Sequence, residues 1–271
     1  MSVHENGRPQ TSLLPPSSGV HHDILATVRT ALSTRAAALA FQPIVQAGTP
    51  HNPAFFEGLI RLSDPGGRLV PARDFIEVVE GTELGAEIDA LALDLGLAAL
   101  RTHPGLRLAV NMSTHSIGAA RWCDTLRRGL DADPTVGERL ILEVTETSAM
   151  GAPDQVAAFM RDLHGRGVAF ALDDFGAGAT SFRYLRDFRF DIVKIDGQFI
   201  CGLGHNTDNQ VLVKAMVSIA RHFEMLTVAE KVETAADASA CARFGINCLQ
   251  GYHFGAPALR PDWEKSSRLS A

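Results

Sequence analysis

The sequence predicts an α/β fold, a single-domain (β/α)8 barrel, and three observations lead to this prediction. Short, nearly continuous apolar runs alternate with segments of helical apolar spacing, which is the pattern of parallel strands covered by helices. Eight such runs occur in a chain of 271 residues, and this number suits a closed barrel better than an open sheet. No glycine-rich phosphate-binding fingerprint follows the first strand, which weakens the Rossmann alternative.

The predicted elements follow one another in a regular order after a first helical segment, ILATVRTALSTRAAALA. Each predicted strand is a short apolar run that ends in a polar or acidic residue. The strands are AFQPIVQ (40–46), AFFEGLI (54–60), LRLAVNMS (106–113), RLILEVTE (139–146), VAFALDD (168–174), DIVKID (191–196), MLTVAE (225–230) and INCLQGY (246–252). The helices between them, with apolar residues at helical spacing, are predicted at 85–101, 153–167, 208–223 and 234–245.

Composition excludes several classes of protein. The chain has 25 Lys and Arg residues against 31 Asp and Glu, a formal net charge of -6, and 46% hydrophobic residues. This apolar fraction argues against a disordered chain, and the lack of a basic excess argues against binding to a nucleic-acid polymer. The cysteines form no C-x-x-C pair, so neither a zinc ribbon nor a disulfide framework is indicated.

The ends of the chain bear on location and domain limits. No stretch reaches the ~18 uninterrupted apolar residues that a membrane span requires, so no span is predicted. The N-terminus lacks the basic-then-apolar layout of a signal peptide, which favours a cytoplasmic protein.

Residues 1–22 are rich in Ser, Pro, Gly, Asn and His and are interpreted as a disordered tail. The folded domain is predicted to span residues 23–265.

Polar side chains stand at the ends of the predicted strands, and these ends converge on one rim of a parallel barrel. So many carboxylates in one place cannot all stay ionised without a counter-charge. Oxygen ligands, with no Cys or His at ligand spacing, favour hard ions such as Mg2+ or Mn2+ over Zn2+. The adjacent acids at 173–174 make a two-metal site feasible, which suits in-line attack of water on a phosphodiester. The strand-end residues are Glu57, Asn111, Glu143, Asp173, Asp174, Asp196 and Glu230.

Two further residues extend this candidate site. Lys194 lies two residues before Asp196, so strand alternation places both side chains on one face. A lysine there is suited to orient the attacking water or to neutralise charge on the phosphate. Glu230 and Glu233 are three residues apart, so one is a candidate metal ligand or proton acceptor and the other its support.

Each of these acids, taken singly, also has a plainer interpretation. A lone acid at a strand end is commonly a helix N-cap or a surface charge, and Asp173 with Asp174 before Phe-Gly is compatible with a simple turn. The convergence of all the strand ends on one rim favours the functional interpretation over these alternatives.

Eight short motifs follow one another in order along the chain. They are FQPIV (41–45), Glu57-Gly58-Leu59-Ile60-Arg61, Asn111-Met112-Ser113, Glu143-Val144-Thr145-Glu146, Asp173-Asp174-Phe175-Gly176, Lys194-Ile195-Asp196, Ala229-Glu230-Lys231-Val232-Glu233 and Gln250-Gly251-Tyr252. Together they resemble the motifs of the EAL-domain family, cyclic di-GMP phosphodiesterases with a TIM-like barrel. The resemblance runs from about Ala40 to Pro257 and covers nearly all of the predicted folded part.

The resemblance implies a role for each matching residue. Two ions, Mg2+ or Mn2+, would be held by Glu57, Asn111, Glu143, Asp173 and Asp174, and Asp196 would hold the second ion's water shell. Lys194 and Glu230 would activate the metal-bound water, and Glu230 would also reach the metal. Glu146 would anchor the loop after Asp174, and Glu233 would support the site. The residues implied to contact the dinucleotide are Gln42, Leu59, Arg61 and Gln250.

Three positions depart from the family pattern. Gly58 replaces the Ala of the name-giving motif, and both residues are small. Lys231 replaces the Gly of A-E-G-V-E and places a cation beside Glu230. The loop after Asp174 reads FGAGATSF instead of FGTGYSSL, which affects a loop that in the family couples metal binding to dimer contacts. No metal-ligand position is lost.

The resemblance implies hydrolysis of cyclic di-GMP to linear pGpG and a homodimer formed through helices near the loop after Asp174. In this sequence residues 174–191 offer apolar and Arg-rich surface suited to such a contact. Two alternatives stay open. One is a receptor that binds cyclic di-GMP but hydrolyses it slowly or not at all, and the other is a metal-dependent barrel hydrolase for a different phosphoester. The complete set of metal-ligand positions favours the active phosphodiesterase.

Overall fold

The computed structural model describes residues 18–178, 182–261 and 263. Most of the predicted tail, and the predicted domain end at 265, lie outside the described residues. Helix α1 (Ser18–Thr34) begins inside the segment predicted as tail, ahead of the predicted start of the domain at Asp23.

Within the described residues, the strands form one sheet. They are β1 (Ala37–Gln46), β2 (Thr49–Ser63), β3 (Leu69–Pro71), β4 (Leu108–Asn111), β5 (Leu140–Thr145), β6 (Ala169–Phe175), β7 (Ile192–Ile195), β8 (Leu226–Ala229) and β9 (Cys248–Gln250). The sheet order is β1-β9-β8-β7-β6-β5-β4-β2-β3, and a further pairing of β1 with β2 closes an eight-stranded barrel. The predicted barrel is confirmed, and each predicted strand corresponds to one of its strands.

Helices surround this barrel. Those after α1 are α2 (Ile76–Val79), α3 (Glu83–Thr102), α4 (Ala120–Ala132), α5 (Glu146–Gly151), α6 (Pro153–His164), α7 (Phe182–Asp187), α8 (Gly197–Ile200), α9 (Thr207–His222) and α10 (Ala235–Arg243). The four predicted helices correspond to α3, α6, α9 and α10, whereas α4 was not predicted. In the part of the chain that the structure describes, no helix combines the length and apolar character needed to cross a membrane.

The barrel differs from the predicted all-parallel arrangement at its first strand. β1 runs antiparallel to both neighbours, β2 and β9, while the other barrel pairs are parallel. Gln46 pairs with Thr49, so the two strands are joined by a tight hairpin that has no room for a helix. Because β1 is reversed, its first half reaches the rim, where Gln42 pairs with Glu57.

A second difference is β3, which the sequence did not predict. This short strand pairs antiparallel with the end of β2, from Arg61 to Ser63, outside the closed barrel. Its three residues are apolar but exposed or half-buried, and the run is too short to match the apolar runs that mark the barrel strands.

The barrel interior has an apolar layer below a polar one. The apolar side chains are Ile44, Phe55, Ala109, Ile141, Ala171, Ile192, Val228 and Cys248, one from each barrel strand. Since side chains alternate with a period of two, the residues two positions towards the rim point into the barrel as well. These residues are Gln42, Glu57, Asn111, Glu143, Asp173, Lys194, Glu230 and Gln250. A single alternation rule thus places eight polar side chains above a closed apolar floor.

Candidate active site

A buried ammonium group stands at the centre of the polar layer. Lys194 on β7 is 1% exposed, and its Nζ lies 2.9 Å from both Asp173 Oδ1 and Glu230 Oε1. Glu143 Oε2 lies at 3.0 Å and Glu57 Oε2 at 3.4 Å from the same nitrogen. Four carboxylates from separate strand ends therefore surround one lysine.

Amide side chains hold Glu57 from the other side of the barrel. Asn111 Nδ2 donates to Glu57 Oε1 at 2.8 Å, and Gln250 Nε2 donates to Glu57 Oε2 at 2.6 Å. The same Gln250 nitrogen lies 3.2 Å from Gln42 Oε1, and Gln42 Nε2 donates to the Gly255 carbonyl at 3.2 Å. The β1, β2 and β9 side of the rim is thus built from neutral hydrogen-bond donors around a single carboxylate.

A bulge in β6 brings two consecutive acids to the rim. In a regular strand, neighbouring side chains point to opposite faces. The pairing of β6 with β7 shifts register between Leu172 and Phe175, and Asp174 has a left-handed backbone with φ of 55°. This irregularity redirects the second carboxylate, so oxygens of Asp173, Asp174 and Glu230 lie within 4.8 Å of one another.

Asp196 lies at the outer edge of the cluster, immediately after β7. Its Oδ1 accepts a hydrogen bond from the Gln198 backbone N–H at 2.8 Å and caps helix α8. Its Oδ2 lies 3.5 Å from Nζ of Lys231, the residue that follows Glu230. The plain helix-cap interpretation therefore holds for this acid, but its second oxygen still faces the site.

Burial and the neighbouring charges shift the pKa values of Lys194 and Glu57 in opposite directions. Burial would lower the pKa of Lys194, but the surrounding carboxylates, with Asp173 foremost, hold it well above its usual value. Burial would raise the pKa of Glu57, but Lys194 and the donors Gln250 and Asn111 together lower it. Both groups are consequently charged at neutral pH.

In contrast to Glu57, Glu143 and Glu230 have raised pKa values. Burial, and then the negative charge of Glu57, raises the pKa of Glu143 well above its usual value. Burial raises the pKa of Glu230 to about 8 against the opposing effect of Lys194, with the charge of Asp173 adding to the rise. A carboxyl with a pKa in this range can both accept and release a proton near neutral pH.

The donor set fits a hard divalent cation. If all are ionised, four carboxylates around one ammonium leave three negative charges without a counter-charge, which is unfavourable in a buried site. Buried Glu143 Oε1 has no hydrogen-bond partner among the described residues. Asp173 Oδ1 lies close to the ammonium but outside hydrogen-bonding geometry, so that contact is an ion pair only. These oxygens are the ligand type that hard cations prefer.

Three further predicted residues, Glu146, Arg61 and Leu59, lie outside the group of side chains that surrounds Lys194. Glu146 is buried and its Oε2 accepts a hydrogen bond from the Gly176 N–H at 3.0 Å, a contact between β5's end and the loop after Asp174. Arg61 and Leu59 are half-buried on β2, and the guanidinium donates to the Leu59 and Ile60 carbonyls at 3.3 and 3.0 Å.

Glu233 is the predicted site residue that stands apart. It is exposed, whereas the adjacent Val232 is fully buried. The Val232 N–H donates to the Gln250 carbonyl at 2.9 Å, so the chain after Glu230 turns Val232 inward and Glu233 towards solvent. The structure does not bring Glu233 into the carboxylate cluster.

Sequence reasoning missed one buried acid near the site, Asp89 on α3. Its Oδ2 accepts hydrogen bonds from the Ser113 N–H at 2.7 Å and the Ser116 hydroxyl at 2.6 Å. Asp89 thereby holds the turn that follows Asn111. The available signal was an acid within the apolar spacing of the predicted helix at 85–101.

A cavity of about 970 Å³ opens beside the cluster, over the ends of β4, β5 and β6. It shares Asp174 with the cluster, and its other lining residues include acidic and hydroxyl side chains such as Glu80, Ser113 and Thr147. The cavity offers space for a ligand next to the carboxylates, although it does not lie over Lys194.

Comparison with known proteins gives a consistent result. The family model for the EAL domain matches residues 25–257. The bifunctional diguanylate cyclase/cyclic di-GMP phosphodiesterase MucR of Pseudomonas aeruginosa is 34% identical over 94% of this chain. The cyclic di-GMP phosphodiesterase PdeB of Shewanella oneidensis is 32% identical over 81% of it. The aligned regions make up only 36% and 26% of those two longer proteins.

Solved structures show the same architecture. The PaMucR phosphodiesterase in complex with c-di-GMP superposes with a TM-score of 0.78 at 34% identity, covering 87% of this chain and 97% of that one. The FimX EAL domain from Pseudomonas aeruginosa, bound to c-di-GMP, gives a TM-score of 0.79 at 26% identity, with coverage of 88% and 97%. With the family model matching nearly the whole barrel, the chain belongs to the EAL-domain family.

Proposed function

We propose that this chain hydrolyses cyclic di-GMP to linear pGpG with the help of two divalent ions, Mg2+ or Mn2+. The observation that carries the proposal is the buried lysine ringed by four carboxylates at the end of the barrel. The similarity to MucR, a cyclic di-GMP phosphodiesterase by name, supports the choice of substrate.

The ions would be held by the oxygen donors of the rim. The proposed ligands are Glu57, Asn111, Glu143, Asp173 and Asp174, with Asp196 at the edge of the second position. When bound, such ions polarise the phosphoryl oxygens, lower the pKa of water and neutralise charge that develops during in-line displacement.

Protein groups would handle the proton. We propose that Glu230 Oε1, with a pKa of about 8, accepts a proton from the water that attacks phosphorus. Lys194 Nζ, 2.9 Å from that oxygen, would keep Glu230 oriented and share the negative charge of the phosphate. The water oxygen bonds to phosphorus as a P–O bond in one of the two ring phosphodiesters breaks, and the departing ribose oxygen takes up a proton from solvent. One water is consumed for each pGpG formed.

The neutral side of the rim would bind the dinucleotide. Gln42 and Gln250 present amide groups beside Glu57, and Arg61 with Leu59 lies at the β2 end of the same edge. Amide and guanidinium groups can donate hydrogen bonds to phosphate and guanine acceptors without adding to the carboxylate charge. Glu146 would keep the loop after Asp174 in place through its bond to Gly176.

We also propose a homodimer formed near segment 174–191, of which residues 179–181 lie outside the described residues. Exposed Val211 and Leu212 on α9 support this proposal, because Met216 of the same helix packs close to Gly176 in that segment. Light scattering at micromolar concentration, with metal and substrate present, should give the mass of a dimer. A monomeric mass would contradict it. The cytoplasmic location stays a prediction.

The proposed activity is tested by incubating the chain with cyclic di-GMP and Mg2+ or Mn2+ and separating the products by chromatography. We expect metal-dependent pGpG, reduced by at least about 10²-fold in Glu57→Ala, since a site built to stabilise developing charge loses this much when one of its groups is removed. Glu87→Ala removes a half-buried acid that pairs with Arg121 at the surface and should leave activity unchanged.

Two other outcomes identify the alternatives. Tight binding of intact cyclic di-GMP without product would indicate the receptor. Failure of cyclic di-GMP to bind, together with metal-dependent cleavage of another phosphoester, would indicate a hydrolase of different specificity.

A further inference from the structure

Lys231 occupies a backbone conformation that a lysine seldom adopts. Its φ is 51°, in the left-handed region where a Cβ atom is unfavourable. Neighbouring hydrogen bonds impose this conformation: the Glu230 N–H donates to the Ile195 carbonyl at 3.2 Å, and the Val232 N–H to the Gln250 carbonyl at 2.9 Å. Hydrogen bonds to β7 and β9, the strands on either side of β8, therefore fix the backbone around residue 231, and the backbone sets the direction of its side chain.

The path of this side chain is open because residue 197 is a glycine. A Cβ atom on Gly197 would lie 2.7 Å from Cβ and Cγ of Lys231 and closer still to its Cδ. The aliphatic chain runs over this glycine to Asp196, where Nζ lies 3.5 Å from Oδ2. Gly197 and Lys231 thus fit together at the edge of the carboxylate cluster.

The charges around Lys231 are negative. Partial burial would lower the pKa of Lys231, but Asp196, Glu230 and Asp174 outweigh this and raise it. The side chain is still 63% exposed, so its charge is available to a hydrated ion approaching from solvent. The Asp196 oxygen that faces the site is already engaged by this ammonium, while its other oxygen caps α8.

We propose that Lys231 is a built-in counter-cation that weakens binding of the second divalent ion at the Asp196 edge of the cluster. The inference rests on the proposed two-ion function. A fixed positive charge beside Asp196 repels an incoming dication and competes for the oxygen that would hold its water shell. The first ion, held deeper among Asp173, Glu143 and Glu57, is affected less. This chain would therefore need a higher Mg2+ or Mn2+ concentration to fill its second position.

Binding of Mn2+ alone to the full chain tests this proposal, measured by calorimetry and by the electron paramagnetic resonance of free Mn2+. In Lys231→Gly we expect the second Mn2+ to bind about tenfold more tightly, with a smaller change in the first. Lys231→Arg retains the charge and should resemble the parent chain. The gain in Mn2+ affinity at the second site should shrink as ionic strength rises, because salt screens the charge of the exposed Lys231 side chain.

Gly197→Ala provides an independent variant. Its new methyl group should displace the Lys231 side chain and also tighten the second site. In the Lys231→Gly background the lysine side chain that the methyl group would displace is absent, so the double variant should match Lys231→Gly alone.

Several results would overturn the inference. Unchanged or weaker second-site binding in Lys231→Gly would contradict it, and so would an effect of Gly197→Ala that persists in the Lys231→Gly background. Since the readout is metal binding, it is separate from turnover. Two ions bound with the expected shifts but no pGpG would defeat the proposed phosphodiesterase and leave the role of Lys231 standing.

Discussion

The carboxylates of the rim and Asp89 on α3 are buried in different ways. Glu57, Glu143, Asp173 and Glu230 share the ammonium of Lys194. Asp89 is 8% exposed and makes two hydrogen bonds, to the Ser113 N–H and the Ser116 hydroxyl. Burial raises the pKa of Asp89 to about 6 against these two bonds, with the charge of Glu80 adding to the rise.

The difference separates a structural acid from a functional cluster. A buried carboxylate is stabilised by a counter-charge, by hydrogen bonds or by taking up a proton. Asp89 is stabilised by hydrogen bonds and by its raised affinity for a proton, and these are enough for a single acid that holds a turn. Four acids in one place exceed what a single lysine can neutralise, so the rim is suited to bind additional cations.

The largest expected effect comes from removing the counter-charge of the rim. In Lys194→Met the four carboxylates would be left buried without a cation, and breaking a buried ion pair in this way costs about 3–5 kcal/mol. We expect this loss in the free energy of unfolding of the metal-free protein, measured by urea denaturation with a chelator. Added Mn2+ should restore stability more in the variant than in the parent, while phosphodiesterase activity falls by at least about 10²-fold.

The matched control is Lys214→Met, because Lys214 is an exposed lysine of α9 whose ammonium lies over the Phe244 ring at 4.7 Å. It should change stability by at most about 1 kcal/mol and should not alter the response to Mn2+. Equal losses in the two variants would mean that the rim carboxylates do not depend on Lys194.

A smaller effect is expected at Asp89, and it depends on pH. Because the pKa of about 6 in the folded state exceeds the usual aspartate pKa of 3.8, the folded state binds the proton more tightly than the unfolded state does. The stability that Asp89 contributes is therefore fully present below about pH 4 and falls by about 3 kcal/mol as pH rises from there through 6. Asp89→Asn keeps an oxygen that can accept both hydrogen bonds and has no charge, so the part of the pH dependence that comes from Asp89 should disappear.

The measurement is urea denaturation of parent and variant between pH 4 and 7, with Asp124→Asn as the control. Asp124 is exposed and pairs with Arg127, so its replacement should leave the pH profile unchanged. If Asp89→Asn ran parallel to the parent across this range, Asp89 would have an ordinary pKa and the comparison with the rim would fail.

The barrel and most of the rim were predictable because one periodicity governs both. Alternation places Phe55 and Glu57, or Val228 and Glu230, on one face, so apolar runs that end in acids indicate both the strand and its site residue. The reversal of β1 was not predicted, although only a short segment separates β1 from β2 and no helix fits there. Helix α4 was not predicted, because its large buried apolar residues, Trp122, Leu126 and Leu130, form a narrow stripe in a segment that is otherwise largely charged or small.

Other features depend on contacts that a sequence does not display. The bulge that lets Asp173 and Asp174 share the rim is a register shift between β6 and β7. The position of Lys231 over Gly197 brings the turn after β8 against the start of α8, more than thirty residues away in the chain. Glu233 was predicted as a supporting acid from its spacing to Glu230, but the left-handed turn at Lys231 directs it to solvent.

The smallest effect on stability and activity is expected at Gly58. This residue follows Glu57 in the chain but faces away from the cluster. A Cβ atom there would lie 3.2 Å from Leu39 Cδ1 and 3.4 Å from the Ala109 carbonyl oxygen, in the packed layer outside the barrel. In Gly58→Ala, loss of backbone freedom in the unfolded chain opposes this tight contact, so the free energy of unfolding should change by at most about 1 kcal/mol.

Activity and Mn2+ affinity of Gly58→Ala should stay within about twofold of the parent, in contrast to Glu57→Ala. Urea denaturation and product chromatography on the same preparations would measure both quantities. A large loss of activity at unchanged stability would show that packing behind β2 sets the position of the Glu57 carboxylate. The geometry of the rim would then depend on packing in the outer layer as well as on Lys194. In that case the functional carboxylates of the rim and structural acids such as Asp89 would be less distinct than the comparison above holds.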